Sequence, residues 1–235
     1  MQEQPRNMIV NEASLGQYLT KVYGYMSLGV AVSALVSFLA LTIYRVQFAT
    51  LIGNNPIMLY ALIFLELAFV MGTSFKASRG GALSFVLFMG FAVINGLTLA
   101  LTLSFYSVAN ITTAFVAATG TFGAMALYGS LTKRNLAGIG QMAFAALIGL
   151  LVATLVNLFL RNPMVDYIFS FIGVIIFIGL TAWDSQRIKM MYVQNAGRAD
   201  LNGLAIMGAL QLYLDFVNLF LFFLRIFGIG GSSND

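Results

Sequence analysis

The sequence predicts an all-α integral membrane protein, a seven-transmembrane-helix bundle with its last helix at the centre. Three observations carry this expectation. Of 235 residues, 60% are hydrophobic and only 9% are charged, whereas a soluble domain carries about 25% charged residues and fewer than half apolar ones. The apolar residues fall into seven continuous runs, each long enough to cross a ~30 Å hydrocarbon core at ~1.5 Å per residue. The last run bears a narrow polar stripe on an otherwise apolar rod, and such a stripe must face protein or water rather than lipid.

The chain opens on a polar stretch, residues 1–21, read as a cytoplasmic tail. It includes Gln2, Glu3, Arg6, Glu12 and Lys21. The first apolar run begins at Val22 and is too long and unbroken for the apolar core of a cleaved signal peptide, so it reads as a span. The expected spans are Val22–Tyr44, Ile57–Phe75, Gly81–Tyr106, Ile111–Leu131, Ile139–Leu160, Tyr167–Gln186 and Leu204–Phe227. Residues 22–228 then form a single transmembrane domain, and residues 229–235 a short outside tail. Helices are expected rather than a barrel, because the runs lack the in–out alternation of barrel strands. Pro56 and Pro163 stand just ahead of the second and sixth spans, where a missing N–H leaves no helical bond unmade. Gly120, Ala124 and Gly129 in the fourth span, and Gly149 with Ala153 in the fifth, are expected to let backbones approach closely.

Charge sets the orientation. With the N-terminus in the cytoplasm, the inside segments hold Arg6, Lys21, Lys76, Arg79, Lys133, Arg134, Arg187, Lys189 and Arg198, and the outside segments hold only Arg45, Arg161 and Arg225. Nine basic residues against three is the positive-inside asymmetry. It places the C-terminus outside.

Three acids interrupt the apolar spans or their edges: Glu66, Asp184 and Asp215. A charged side chain at membrane depth costs roughly 2.5–3.5 kcal/mol on insertion scales, so such residues usually face the bundle interior and find partners. Asp215 lies near the middle of "LQLYLDFVNLFLFFLRI". At ~100° per residue, Gln211, Asp215, Asn218 and Arg225 share an arc of about 80°. Such a stripe suits an interhelical hydrogen-bonding seam as well as a transport path. Asp184 sits toward the cytoplasmic end of the sixth span in "GLTAWDSQRIK", with Thr181, Gly173 and Ser170 on its face and Arg187 one turn later. By itself it is equally an interfacial acid. The last two spans form a hairpin, and packed helices lie about 8–10 Å apart, so facing aspartates can touch. Their ionisations would then couple, because two carboxylates in one low-dielectric site cannot both ionise cheaply. Glu66, in "LIFLELAFVMG", is either a hydrogen-bonded glutamate between helices or part of a cation path.

Other functions are poorly supported. Histidine and cysteine are both absent, which removes imidazole and thiolate ligands, disulfides and the usual group titrating near neutrality. Any bound metal would be an oxygen-seeking one such as Ca2+. There is no phosphate-binding glycine loop. The neighbours of the two aspartates, Trp183 and Leu214, do not match the motifs of an aspartyl intramembrane protease. Basic residues are dispersed and form no nucleic-acid stripe. The chain is therefore not expected to be an enzyme or to need a cofactor. Its expected partners from composition and the paired acids are the lipid bilayer and protons.

The segments "GLTAWDSQRIK" and "MGALQLYLDFVNLFLFFLRIFG" resemble the closing hairpin of the Bax inhibitor-1 family, most closely its bacterial members. "YLTKVYGYMSLGV" is similar to the start of the family's first span, and "FGAMALYGSLTKRNL" to the exit of its fourth. The resemblance covers essentially the whole chain. It implies seven helices with the last enclosed by the other six, and a location in the bacterial inner membrane. It implies that Asp184 and Asp215 form a pH-sensitive pair governing a calcium leak, with Ca2+ as the permeant or bound ion. A basic residue near the second helix, Arg79 or Lys76 here, would latch onto the pair, and Glu66 would be the family's additional acid. The alternative expectation is a regulatory protein that modulates a membrane protease or a stress or cell-death factor without carrying ions. Calcium ions and a membrane-protein partner are thus what the family resemblance implies. A proton-coupled transporter is a third, though the broken mid-membrane helices that would favour it are not evident.

Overall fold

A computed structural model describes residues 12–55, 57–76, 81–195 and 201–230. They form eight helices: α1 (Glu12–Leu41), α2 (Arg45–Asn54), α3 (Ile57–Lys76), α4 (Gly81–Leu103), α5 (Val108–Leu131), α6 (Ala137–Leu160), α7 (Pro163–Asn195) and α8 (Asn202–Gly230). No strand occurs among the described residues. Six helices, α1 and α4 through α8, are long and apolar enough to cross a bilayer. α3 offers a shorter apolar stretch, Tyr60–Thr73. The second expected span, Ile57–Phe75, falls on α3, whose 20 residues include this stretch.

The eighth helix, α2, was not expected. Its ten residues extend only about 15 Å, too short to cross. None of them is buried, and Val46 and Leu51 stand exposed.

Helix ends follow local chemistry. α1 begins well before Val22, because Leu15, Tyr18, Leu19 and Val22 recur at helical spacing and continue its buried face. Tyr18 and Val22 are buried, and the Tyr18 ring packs on Tyr192 of α7 at 5.1 Å between centroids. The described part of the polar tail, residues 12–21, is therefore helical. Lys21 Nζ donates to Asn202 Oδ1 at 3.3 Å, tying this part of α1 to the start of α8. Ser107 caps α5 by accepting the Asn110 N–H at 3.2 Å. α6 ends at Arg161 in a left-handed conformation, with φ of 51°. Buried Asn157 then donates to Asn162 O at 3.1 Å and to Asp166 Oδ1 at 2.6 Å, closing the turn into α7. Pro163 is the first residue of α7, as its missing N–H favours. Pro56 lies outside the described residues.

The core gathers on α8, which packs against α1, α3, α4, α5 and α7. Of the apolar window of α8, 67% is buried, against 11% for α6. Leu212, Tyr213, Leu219 and Leu224 are fully buried. Tyr213 meets Phe88 and Phe91 edge-on at 5.8 and 5.5 Å, and Phe216 meets Phe122 edge-on at 5.6 Å, the arrangement aromatic quadrupoles favour. The outer faces remain apolar: Leu155, Leu158 and Phe159 of α6 are all exposed, as expected where lipid is the solvent.

Glycine shows where backbones touch. A Cβ on Gly129 of α5 would stand 2.0 Å from the Ala182 carbonyl oxygen of α7, so only glycine allows this crossing. Gly120 and Gly149 meet nothing within 4 Å. The close-packing expectation is thus corrected at those two positions: their faces turn away from neighbouring helices.

Candidate functional site

The site sits where α7 crosses α8. Asp184 and Asp215 are 4% and 5% exposed. Asp184 lies within hydrogen-bonding reach of both Asp215 and Gln211, and it feels the charge of Arg187. Gln211 is one turn before Asp215 on α8, so one face of α8 presents both groups to α7. Asp184 Oδ1 and Asp215 Oδ2 each lack a hydrogen-bond donor. Buried polar atoms are nearly always paired, and an unmet one costs about 1–3 kcal/mol. One proton held between the two carboxyl groups would supply the missing donor. Ser185 Oγ, on the residue after Asp184, is also buried and unpaired.

The neighbours of Asp184 hold α7 in place. Gln186 Nε2 donates to Arg134 O at 2.7 Å, and Gln186 Oε1 accepts the Leu136 N–H at 2.9 Å. A single amide therefore fastens α7 to the α5–α6 turn. Lys189 Nζ donates to Ser130 O at 3.0 Å, near the C-terminal end of α5, where cations are favoured. Arg187 is exposed and lies over the Trp183 ring at 5.4 Å.

The polar stripe on α8 divides into parts. Gln211 joins the aspartates. Asn218 Nδ2 donates to Leu214 O of its own helix at 2.8 Å. Arg225 lies over Phe222 at 5.7 Å. A shared arc sets direction only, and Asn218 and Arg225 find partners on their own helix.

Glu66 belongs to a second polar cluster. Its Oε1 accepts from Asn95 Nδ2 at 3.0 Å. Asn95 Oδ1 accepts the Tyr213 hydroxyl at 2.7 Å. Tyr213 and Ser33 hydroxyls lie 2.6 Å apart, and Ser33 Oγ is 2.7 Å from Ala92 O. This chain crosses α3, α4, α8 and α1. Sequence reasoning missed Ser33, Asn95 and Tyr213. Asn95 was visible as a lone amide in an apolar run. Tyr213, two residues before Asp215, points about 200° around the helix, outside the stripe.

The latch candidates are not placed. Arg79 lies outside the described residues, and Lys76 closes α3 with its side chain outside them. Among the described residues no group of three or more acidic side chains gathers to hold a metal. Two aspartates and one glutamine amide offer at most about five side-chain oxygens, fewer than the six to eight Ca2+ prefers. Water would have to complete any coordination shell.

Comparison with known proteins gives the family. Residues 15–232 match the family model described as inhibitor of apoptosis-promoting Bax1. The chain is 40% identical to inner membrane protein YbhL of Escherichia coli K12 over 94% of its own length and 95% of that protein's. It is 36% identical to protein YrjE of Lactococcus lactis, over 97% and 98% of the two chains. A protein of Rickettsia prowazekii is 36% identical over 92% and 91%. With a match spanning nearly the whole chain and relatives covered over 91–98% of their own length, the chain belongs to the Bax inhibitor-1 family of membrane proteins.

Proposed function

We propose that the protein is a pH-sensitive cation leak, with Ca2+ as the ion carried, gated by Asp184 and Asp215. The observation that supports this most is a pair of buried carboxyl groups within reach of each other, each with an oxygen that meets no donor. A shared proton joins α7 to α8 through a short, strong hydrogen bond. Loss of that proton leaves two charges that repel or recruit a cation. Oxygen ligands of irregular geometry suit Ca2+. Protons and Ca2+ then compete for one site, so flux falls as pH falls.

This reading takes the 20-residue α3 as a seventh span and α8 as the enclosed central helix, in keeping with its packing against five neighbours. The N-terminus is placed in the cytoplasm by charge, and the membrane is taken to be the bacterial inner membrane by likeness to YbhL. Arg79 or Lys76 is retained as the latch.

Liposome flux tests the proposal. The chain reconstituted around a trapped calcium indicator should admit Ca2+ faster at pH 8 than at pH 6. Asp184→Asn and Asp215→Asn should remove that difference. Unchanged flux and unchanged pH response in both variants would instead favour a regulatory membrane protein that carries no ions. The description of the matched family, as an inhibitor of another protein, is what keeps that second reading in view.

A further inference from the structure

A groove of about 530 Å³, not lined by the aspartates, runs between α1 and α5. α1 packs on α4, α7 and α8 but not closely on α5. The gap leaves part of α8 as a floor, with Phe216 and Phe220 at its base. Ala34, Phe38 and Leu41 form one wall, and Val108, Thr112 and Phe115 the other.

We propose that this groove binds one acyl chain of a membrane phospholipid, with the lipid phosphate held by Arg45. The first argument is length. The groove follows α1 from Val30 to Thr42. Twelve helical residues rise about 18 Å, close to the ~15 Å depth of half a hydrocarbon core. The groove therefore runs from mid-membrane to the end of the bundle at the α1–α2 turn, the reach of a chain from one leaflet.

The second argument is chemistry. The hydroxyls along the groove are already engaged with protein carbonyls. Ser37 donates to Gly96 O at 2.6 Å, Thr42 to Phe38 O at 2.6 Å and Thr112 to Val108 O at 2.8 Å. Water would find few partners inside, and large apolar cavities stay dry. A void of this size beside lipid is filled by hydrocarbon.

The third argument is charge. Arg45 is exposed and begins α2, a few residues beyond groove-lining Thr42. Residues 36–55 and 99–115, which frame the mouth, contain no acid. That end of the groove is therefore complementary to a phosphate. Because Phe216 follows Asp215 directly, the bound chain would also press on the helix that carries the paired carboxyl group.

Native mass spectrometry of the full chain, extracted from phosphatidylethanolamine–phosphatidylglycerol vesicles, tests this. Wild type should retain one phospholipid per chain. Ala34→Trp fills the groove and should reduce occupancy about tenfold or more, since each displaced methylene weakens binding severalfold. Leu35→Trp, on an exposed position outside the groove, should leave it unchanged. Arg45→Gln should lower it about fivefold. Thr112→Phe fills the groove from the opposite wall and serves if Ala34→Trp does not fold. The proposal is overturned if wild type retains no lipid, if the groove-filling variants keep the same lipid distribution, or if wild type forms a lipid-free dimer that Ala34→Trp dissociates.

Discussion

Replacing Asp215 with asparagine isolates what the carboxyl pair contributes. The substituted side chain would keep the size and polarity of the original but could never become negative. Its amide would offer Asp184 a permanent donor, in place of a proton that comes and goes. Two full charges taken at about 4 Å and an effective dielectric of 20 repel by about 4 kcal/mol. That is roughly a thousandfold bias in an equilibrium constant, and it is the force assigned to opening. Asp215→Asn removes it entirely. The expected result is a calcium flux at pH 8 that falls to the wild-type level at pH 6, with the ratio between the two pH values near one. Thermal unfolding in detergent should show the variant at least as stable as wild type, because the buried donor deficit at Asp184 Oδ1 and Asp215 Oδ2 is relieved. At pH 6, where the wild-type pair shares a proton, Asp215→Ala deprives Asp184 of that donor and should lose about 1–3 kcal/mol. Liposomes with matched protein content and an ionophore control make the comparison quantitative. An Asp215→Asn protein that is folded and inserted, yet keeps the full wild-type pH response, would refute the reasoning.

Other consequences concern the surrounding structure. Tyr213→Phe keeps the ring contacts with Phe88 and Phe91 but strips Asn95 Oδ1 and Ser33 of their shared hydroxyl; a loss of about 1–3 kcal/mol is expected in chemical denaturation. Gln186→Ala leaves the Leu136 N–H and the Arg134 carbonyl without their partner. It should destabilise by a similar amount, about 1–3 kcal/mol, and limited proteolysis should cut the α5–α6 turn sooner. Gly129→Ala forces a Cβ against the Ala182 carbonyl oxygen and should cost about 1–3 kcal/mol or more. Gly120→Ala meets nothing within 4 Å and should be neutral or stabilising by up to about 1 kcal/mol. Thermal melts of the two glycine variants side by side give the comparison, and equal effects would contradict the helix crossing described above.

Composition and run length alone determined that this is a helical membrane protein, because no soluble packing can hide so much apolar surface. They also located the long helices to within a turn or so at most ends. The exceptions are instructive. α1 starts earlier than its apolar run, since residues 12–21 carry enough apolar side chains at helical spacing to pack Tyr18 on Tyr192. α2 escaped notice because ten residues with no buried side chain carry no core-facing periodicity. At the site, intramembrane acids are costly enough to stand out in sequence, so Asp184, Asp215 and Glu66 were all visible. That Asp184 and Asp215 pair was implied by the family resemblance; spacing alone allowed the contact without requiring it. Helix rotation and crossing decide it, and those depend on contacts between distant parts of the chain, such as Gly129 against Ala182 or Ser33 against Tyr213. Tertiary packing therefore brought Asp184 to Asp215 and Gln211, gave Glu66 to Asn95 instead, and left Asn218 and Arg225 to partners on their own helix. Sequence determined which groups must find partners inside the membrane, because their desolvation is unavoidable. Only the packed bundle decided who those partners are.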